Sequence, residues 1–163
     1  MSCVLTLAMD PEAQQRFEDA RQKWFPKERN FIPAHLTLFH VLPESEETMH
    51  VLSVVSNAVA QFPMRIAEIR SLGRGVAYFL ESKQLTELHR YLSANFQDFL
   101  TAQDKQKFHP HVVVQNKVAP EVAKATLEVL RSDFAPSFCT AVGLDLWRYV
   151  DGHWLPLKRF VFG

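Results

Sequence analysis

The chain has 163 residues, 47% of them hydrophobic, which suits one domain with an ordinary core. Its 18 basic and 18 acidic side chains cancel, which argues against a large nucleic-acid footprint but leaves room for a small phosphate-bearing ligand held by local groups. Cys3 and Cys139 stand far apart with no metal-ligand spacing, no apolar run reaches the length of a membrane span, and the N-terminus lacks a signal-peptide pattern, so a cytoplasmic protein with reduced thiols is expected.

Val4 to Met9 reads as a short buried strand. Asp10 caps a helix that Pro11 opens, with Ala13, Phe17, Ala20 and Trp24 at helical spacing, and Pro26 ends it. A charged loop leads into Pro33-Ala34-His35-Leu36-Thr37-Leu38-Phe39-His40, a strand pattern closed by Pro43. Alternation puts His35, Thr37 and Phe39 on one face of it and Leu36 and Leu38 on the other. Ser45 caps a second helix with Met49, Leu52, Val55 and Val59 as its stripe, and Met64 to Leu72 follows as a strand. Gly73-Arg74-Gly75 is a turn, Val76 to Leu80 the return strand, and Ser82 the cap of a third helix with Leu85, Leu88, Leu92, Phe96 and Phe99 inward. A polar loop, Thr101 to Lys107, precedes Phe108-His109-Pro110-His111-Val112-Val113-Val114, a second strand pattern continuing to Gln115-Asn116-Lys117. Pro120 opens a fourth helix, and Phe138 to Tyr149 and Trp154 to Phe162 form a hairpin about Asp151-Gly152.

The order of elements repeats. Each half reads strand, helix, histidine-bearing strand, helix, strand, without visible repetition of residues. This predicts an α+β fold made of a duplicated unit, one domain over 1–163 with pseudo-symmetric lobes of roughly 1–72 and 73–163, and the two histidine strands facing one another across a cleft. Two imidazoles there suit acid–base work near neutral pH, because one ring accepts a proton while the other gives one. A hydroxyl two residues after a histidine, as at Thr37, would hold the non-bridging oxygens of a phosphodiester.

These two segments resemble the paired motifs of the 2H phosphoesterase superfamily, which includes 2′-5′ RNA ligase-like proteins and cyclic nucleotide phosphodiesterases. Gly73-Arg74-Gly75-Val76-Ala77, Gln103-Asp104, Gln115-Asn116-Lys117 and Leu144 to Tyr149 spread the likeness over nearly the whole chain. The resemblance implies a bilobal fold with two antiparallel sheets flanking a central cleft and helices on the outer faces. It implies a phosphodiesterase that needs neither metal nor cofactor and acts on a 2′,3′-cyclic or 2′-5′ nucleotide or RNA-terminal phosphodiester. His35 and His111 are then the catalytic pair and Thr37 the phosphate anchor. The second motif departs from the pattern: Val113 stands where a Thr or Ser is usual, and valine has no donor. Gln115 and Lys117, on the His111 face of a regular strand, are candidates to replace it.

Plainer readings stand beside these. Arg74 is a solvated turn residue or a cleft-edge phosphate contact. Trp147 and Tyr149 share a strand face, for core packing or for stacking on a nucleobase. Phe39 lines the cleft if its strand stays regular. His109 shares the His111 face and invites a metal site with His35, but no Asp, Glu or Cys accompanies them at a recognised spacing. His40, His50, His89 and His153 read as surface or structural. The expected partner is a small nucleotide or RNA terminus, with no membrane and no metal, and the expected state is a monomer. Two alternatives remain: a catalytically weak module binding nucleotides or RNA ends, and a 2′-5′ RNA ligase.

Overall fold

A computed structural model describes residues 1–163. Seven strands and four α-helices follow in the order β1 (Ser2–Met9), α1 (Pro11–Trp24), β2 (Leu36–Pro43), α2 (Glu46–Ala58), β3 (Phe62–Ser71), β4 (Val76–Glu81), α3 (Lys83–Asn95), β5 (His111–Gln115), α4 (Pro120–Ser132), β6 (Ser137–Val150) and β7 (His153–Val161). The helix starts follow from their caps. Asp10 accepts the Ala13 N–H at 3.0 Å, Ser45 that of Thr48 at 3.2 Å and Ser82 that of Leu85 at 3.2 Å, each filling a donor the first turn leaves free. No helix is long and apolar enough to cross a membrane.

The expectation of two sheets gives way to one. All strand pairs are antiparallel, in the order β1-β2-β5-β4-β3-β6-β7, and a further β1–β6 pairing closes the first six into a ring with β7 outside it. The reason is the length of β6. Its residues 141–148 pair with β1 and its residues 137–141 pair with β3, so one strand serves both sides. The ring is thin at one place only: β2 and β5 are joined through the single registered pair Leu36–Val112. The halves also exchange strands, since β3 pairs with β4 and β6 with β1.

One face of the β4–β5 ladder turns to the helices. Tyr78 meets Phe17 of α1 edge-on at 5.4 Å and Phe134, just past α4, at 6.1 Å. Leu36, Val112 and Val114 are buried with Phe17 and Tyr78 in a core cluster of 32 residues, against which Phe134 packs. The other face carries His111 and Val113, which line the cleft, with Phe79 beside His111. The β3–β4 turn is clasped to the end of β5. Arg74 gives its Nε–H to the Val118 carbonyl at 3.1 Å, and its own carbonyl accepts the Val118 N–H at 3.1 Å. Gly75 lies so close to this segment that a Cβ there would sit 2.0 Å from the Gln115 carbonyl oxygen, which only glycine permits.

Candidate active site

His35 immediately precedes β2 and His111 opens β5, both half-buried. One step along the register from Leu36–Val112 sets Thr37 opposite His111 and His35 opposite Val113, so the histidines lie on a diagonal of the ladder. Their rings are held alike. His35 Nδ1 lies 2.7 Å from the Pro33 carbonyl and His111 Nδ1 lies 2.7 Å from the His109 carbonyl. A carbonyl only accepts, so each Nδ1 carries a proton and each Nε2 is the nitrogen left for chemistry. Both rings line one cleft of about 310 Å³ with Thr37, Val113, His40, Gln103, Asp104, Lys107 and His109 among its other walls.

The surroundings differ. The His35 ring packs on Trp154 of β7 at 4.5 Å, and Trp154 rests on Trp147 at 6.0 Å. His111 stacks on Phe79 at 5.2 Å, and the Arg70 guanidinium lies over the far side of Phe79, 4.3 Å from its centroid. Burial takes His35 down to about 4; the Pro33 carbonyl opposes this, and the charges of Arg21, His111 and His40 add to it. His35 is therefore neutral near pH 7.

A β-bulge re-aims each histidine strand. Leu5 pairs with Phe39 and Thr6 with Thr37, so Leu38 is the extra residue on β2. Val76 pairs with Gln115 and Ala77 with Val113, so Val114 is the extra residue on β5. Each bulge stands three residues after its histidine and reverses the alternation beyond it. Two expectations are corrected for this reason, and a third because β5 ends at Gln115. Phe39 does not line the cleft; it is fully buried and stacks on His89 at 4.7 Å. Gln115 does not reach the phosphate position; it is buried, its amide donates to Thr126 Oγ1 at 2.7 Å, and its Oε1 has no partner. Lys117 lies beyond the end of β5 in a left-handed turn (φ 62°), exposed to solvent. Arg74 serves the clasp described above and is not among the cleft walls. Trp147 and Tyr149 are also absent from those walls: Trp147 gives its Nε1–H to Thr6 Oγ1 at 2.9 Å behind Trp154, and Tyr149 is 48% exposed on the hairpin.

The bulge that removes Phe39 brings in His40. Its Nδ1 lies 2.8 Å from Asp104 Oδ1, and Asp104 also accepts the N–H groups of His40 (2.9 Å to Oδ2) and Val41 (3.2 Å). Burial alone would raise the Asp104 carboxyl, but the ring and the two N–H groups outweigh it and hold the carboxyl below its usual range. His89 lies flat between Phe39 and Phe108, 3.9 Å from the latter, with its Nε2 3.1 Å from the carbonyl of the bulged Leu38. Behind the seam, the buried Arg21 donates to the Val113 carbonyl and to Asn30 Oδ1, both at 3.1 Å. Sequence reasoning missed Arg21, Trp154 and the His40–Asp104 pair. Arg21 had a signal, since it stands at i+4 from Phe17 on the stripe that also holds Ala13. No group of three or more His, Cys, Asp and Glu side chains is arranged to hold a metal ion.

The model of the 2′-5′ RNA ligase superfamily matches residues 9–153. Among solved structures, TT0787 of Thermus thermophilus is similar, with a TM-score of 0.70 at 18% identity over 99% of this chain and 98% of that one. Escherichia coli LigT complexed with 3′-AMP has a TM-score of 0.62 at 18% identity, over 99% and 97%. A further structure described as a phosphoesterase has a TM-score of 0.60 at 19% identity, over 99% and 97%. No curated protein sequence matches significantly.

Proposed function

Since the chain belongs to the 2′-5′ RNA ligase superfamily, we propose that it is a phosphodiesterase that opens a nucleoside 2′,3′-cyclic phosphate, as a free nucleotide or an RNA terminus, by proton transfer between His35 and His111. The observation that carries this is the pair of matched Nδ1–carbonyl bonds, which leave both Nε2 atoms to one cleft. LigT, which has this fold, has been solved with 3′-AMP.

His35, neutral for the reasons given, is the base. Its Nε2 takes a proton from water as the water oxygen bonds to phosphorus. His111 gives its Nε2 proton to the ribose oxygen as the bond from phosphorus to that oxygen breaks. The proton on His35 and the vacancy on His111 are then exchanged with solvent. Thr37, opposite His111, donates its hydroxyl proton to a non-bridging oxygen, where charge builds up. Val113, opposite His35, offers only methyl groups, so the phosphate is held from one strand. These steps need no metal.

The test is turnover of nucleoside 2′,3′-cyclic phosphates in the presence of a chelator. His35→Ala and His111→Ala should each lower kcat by about 10²–10⁴, the usual worth of a general acid or base. Full activity in either variant, or loss of activity on chelation, would sink the proposal. Val113 favours a second reading, a module that binds nucleotide without turnover, and saturable binding with no hydrolysis across cyclic substrates would select it.

A further inference from the structure

The cleft does not end at the two histidines. Beyond Thr37 and His111 it continues between β2 and residues 101–109, where His40, Gln103, Gln106, Lys107 and His109 form the walls. Its size, about 310 Å³, falls in the range of pockets that enclose a ligand rather than a single group, roughly 300–1,000 Å³. The only acid among its walls is Asp104, and that carboxylate is spent: its side chain is 1% exposed and accepts two backbone N–H groups and the His40 ring. What remains facing the cleft at this end is one lysine, two imidazoles and two amides.

His40 is the pivot. Its Nδ1–H is committed to Asp104, and its Nε2 has only the Gln103 amide as a partner, at 3.4 Å, a contact an anion in the cleft would take over. An imidazolium donates from both nitrogens, here from Nδ1 to Asp104 and from Nε2 to an anion in the cleft. The buried carboxylate balances that charge from behind. At about 3.3 Å per residue, three residues separate His40 from Thr37 by roughly 10 Å or a little less across the bulge.

We propose that this end of the cleft is a subsite for a second phosphate, so that the preferred substrate is a nucleotide carrying a phosphate in addition to the scissile cyclic diester. The inference rests on the phosphodiesterase reading of the cleft. His40 and Lys107 hold the second phosphate, Asp104 positions His40, and the bulge at Leu38 is what turns His40 rather than Phe39 toward the ligand.

Calorimetry with 2′-AMP and adenosine 2′,5′-bisphosphate, on the wild-type chain and on variants of the exposed positions, His40→Gln and Lys107→Ala, tests it. The bisphosphate should bind about 10-fold more tightly to the wild type, the effect of one charge-assisted hydrogen bond. The ratio should fall in each variant and approach one when both are combined. A ratio near one in the wild type, a ratio the variants leave intact, or no binding of either nucleotide overturns the subsite. Turnover of adenosine 2′,3′-cyclic phosphate, measured in parallel, separates the two failures. Turnover without a bisphosphate preference removes the subsite and keeps the phosphodiesterase; a preference lost in the variants, without turnover of any cyclic nucleotide, does the reverse.

Discussion

Replacing Trp154 with alanine opens one face of the His35 ring to water. The indole lies 4.5 Å from the imidazole, and burial is the largest of the influences that take His35 from 6.5 to about 4. That displacement amounts to roughly 3 kcal/mol against the imidazolium, at about 1.36 kcal/mol per pH decade. If the indole accounts for about half of the lost hydration, Trp154→Ala brings His35 to about 5, while Trp154→Phe keeps the cover and stays near the wild type. Titration of the His35 Cε1 proton by NMR reads this directly, and the substitution falls on a strand that lies outside the closed ring. The base must be neutral to act, so the acid limb of the kcat/KM profile should move up with it, by about one pH unit. A His35 midpoint that remains near 4 in Trp154→Ala would refute the role given to β7, and with it the physical reason for naming His35 the base.

His35 and His89 both titrate below the ordinary imidazole value in the folded protein, chiefly because burial disfavours their charged forms. The unfolded chain therefore takes up protons first as the pH falls below about 6.5. Stability should be greatest above that pH and should decline toward pH 4; equal denaturant midpoints at pH 7.5 and pH 4.5 would contradict this. Val113→Thr restores a donor opposite His35 and should raise kcat/KM for a cyclic phosphate by about tenfold; an unchanged value would mean that residue 113 never touches the phosphate. Gln115→Met removes a buried oxygen that has no partner, so turnover should hold and stability should change by less than about 1 kcal/mol; a tenfold loss of turnover would return Gln115 to the phosphate.

Local rules carried the reading of the chain far. Caps at Asp10, Ser45 and Ser82, prolines at 11 and 120, and the alternation before each bulge are nearest-neighbour effects, and the structure has them. The histidine pair was legible for the same reason: His35 and Thr37 need only two regular residues to share a face. What failed lay beyond the bulges. An extra residue at Leu38 or Val114 is set by the register against the neighbouring strand, which a single segment does not encode, and it displaced Phe39 and Gln115 from the cleft while admitting His40. Arg74 and Lys117 were misplaced because their surroundings are long-range, where two turns meet only once the sheet has closed. The closure itself depends on β6 running past β1 to reach β3, and its apolar pattern gives no sign of where one partner ends and the next begins.

The exchange of strands between the halves has a consequence for how the chain can be divided. β3 finds both its partners, β4 and β6, in the second half, while β6 draws on β1 and β3 of the first. The turn at Gly73-Arg74-Gly75 is the only covalent link between the two. A cut there leaves fragments with bare edges that each other's strands are shaped to fill, so the pieces are natural complements rather than independent folds. The present chain tethers the two pieces in one molecule, and β7, which has no counterpart in the repeat, sets Trp154 against His35 while His111 rests on Phe79.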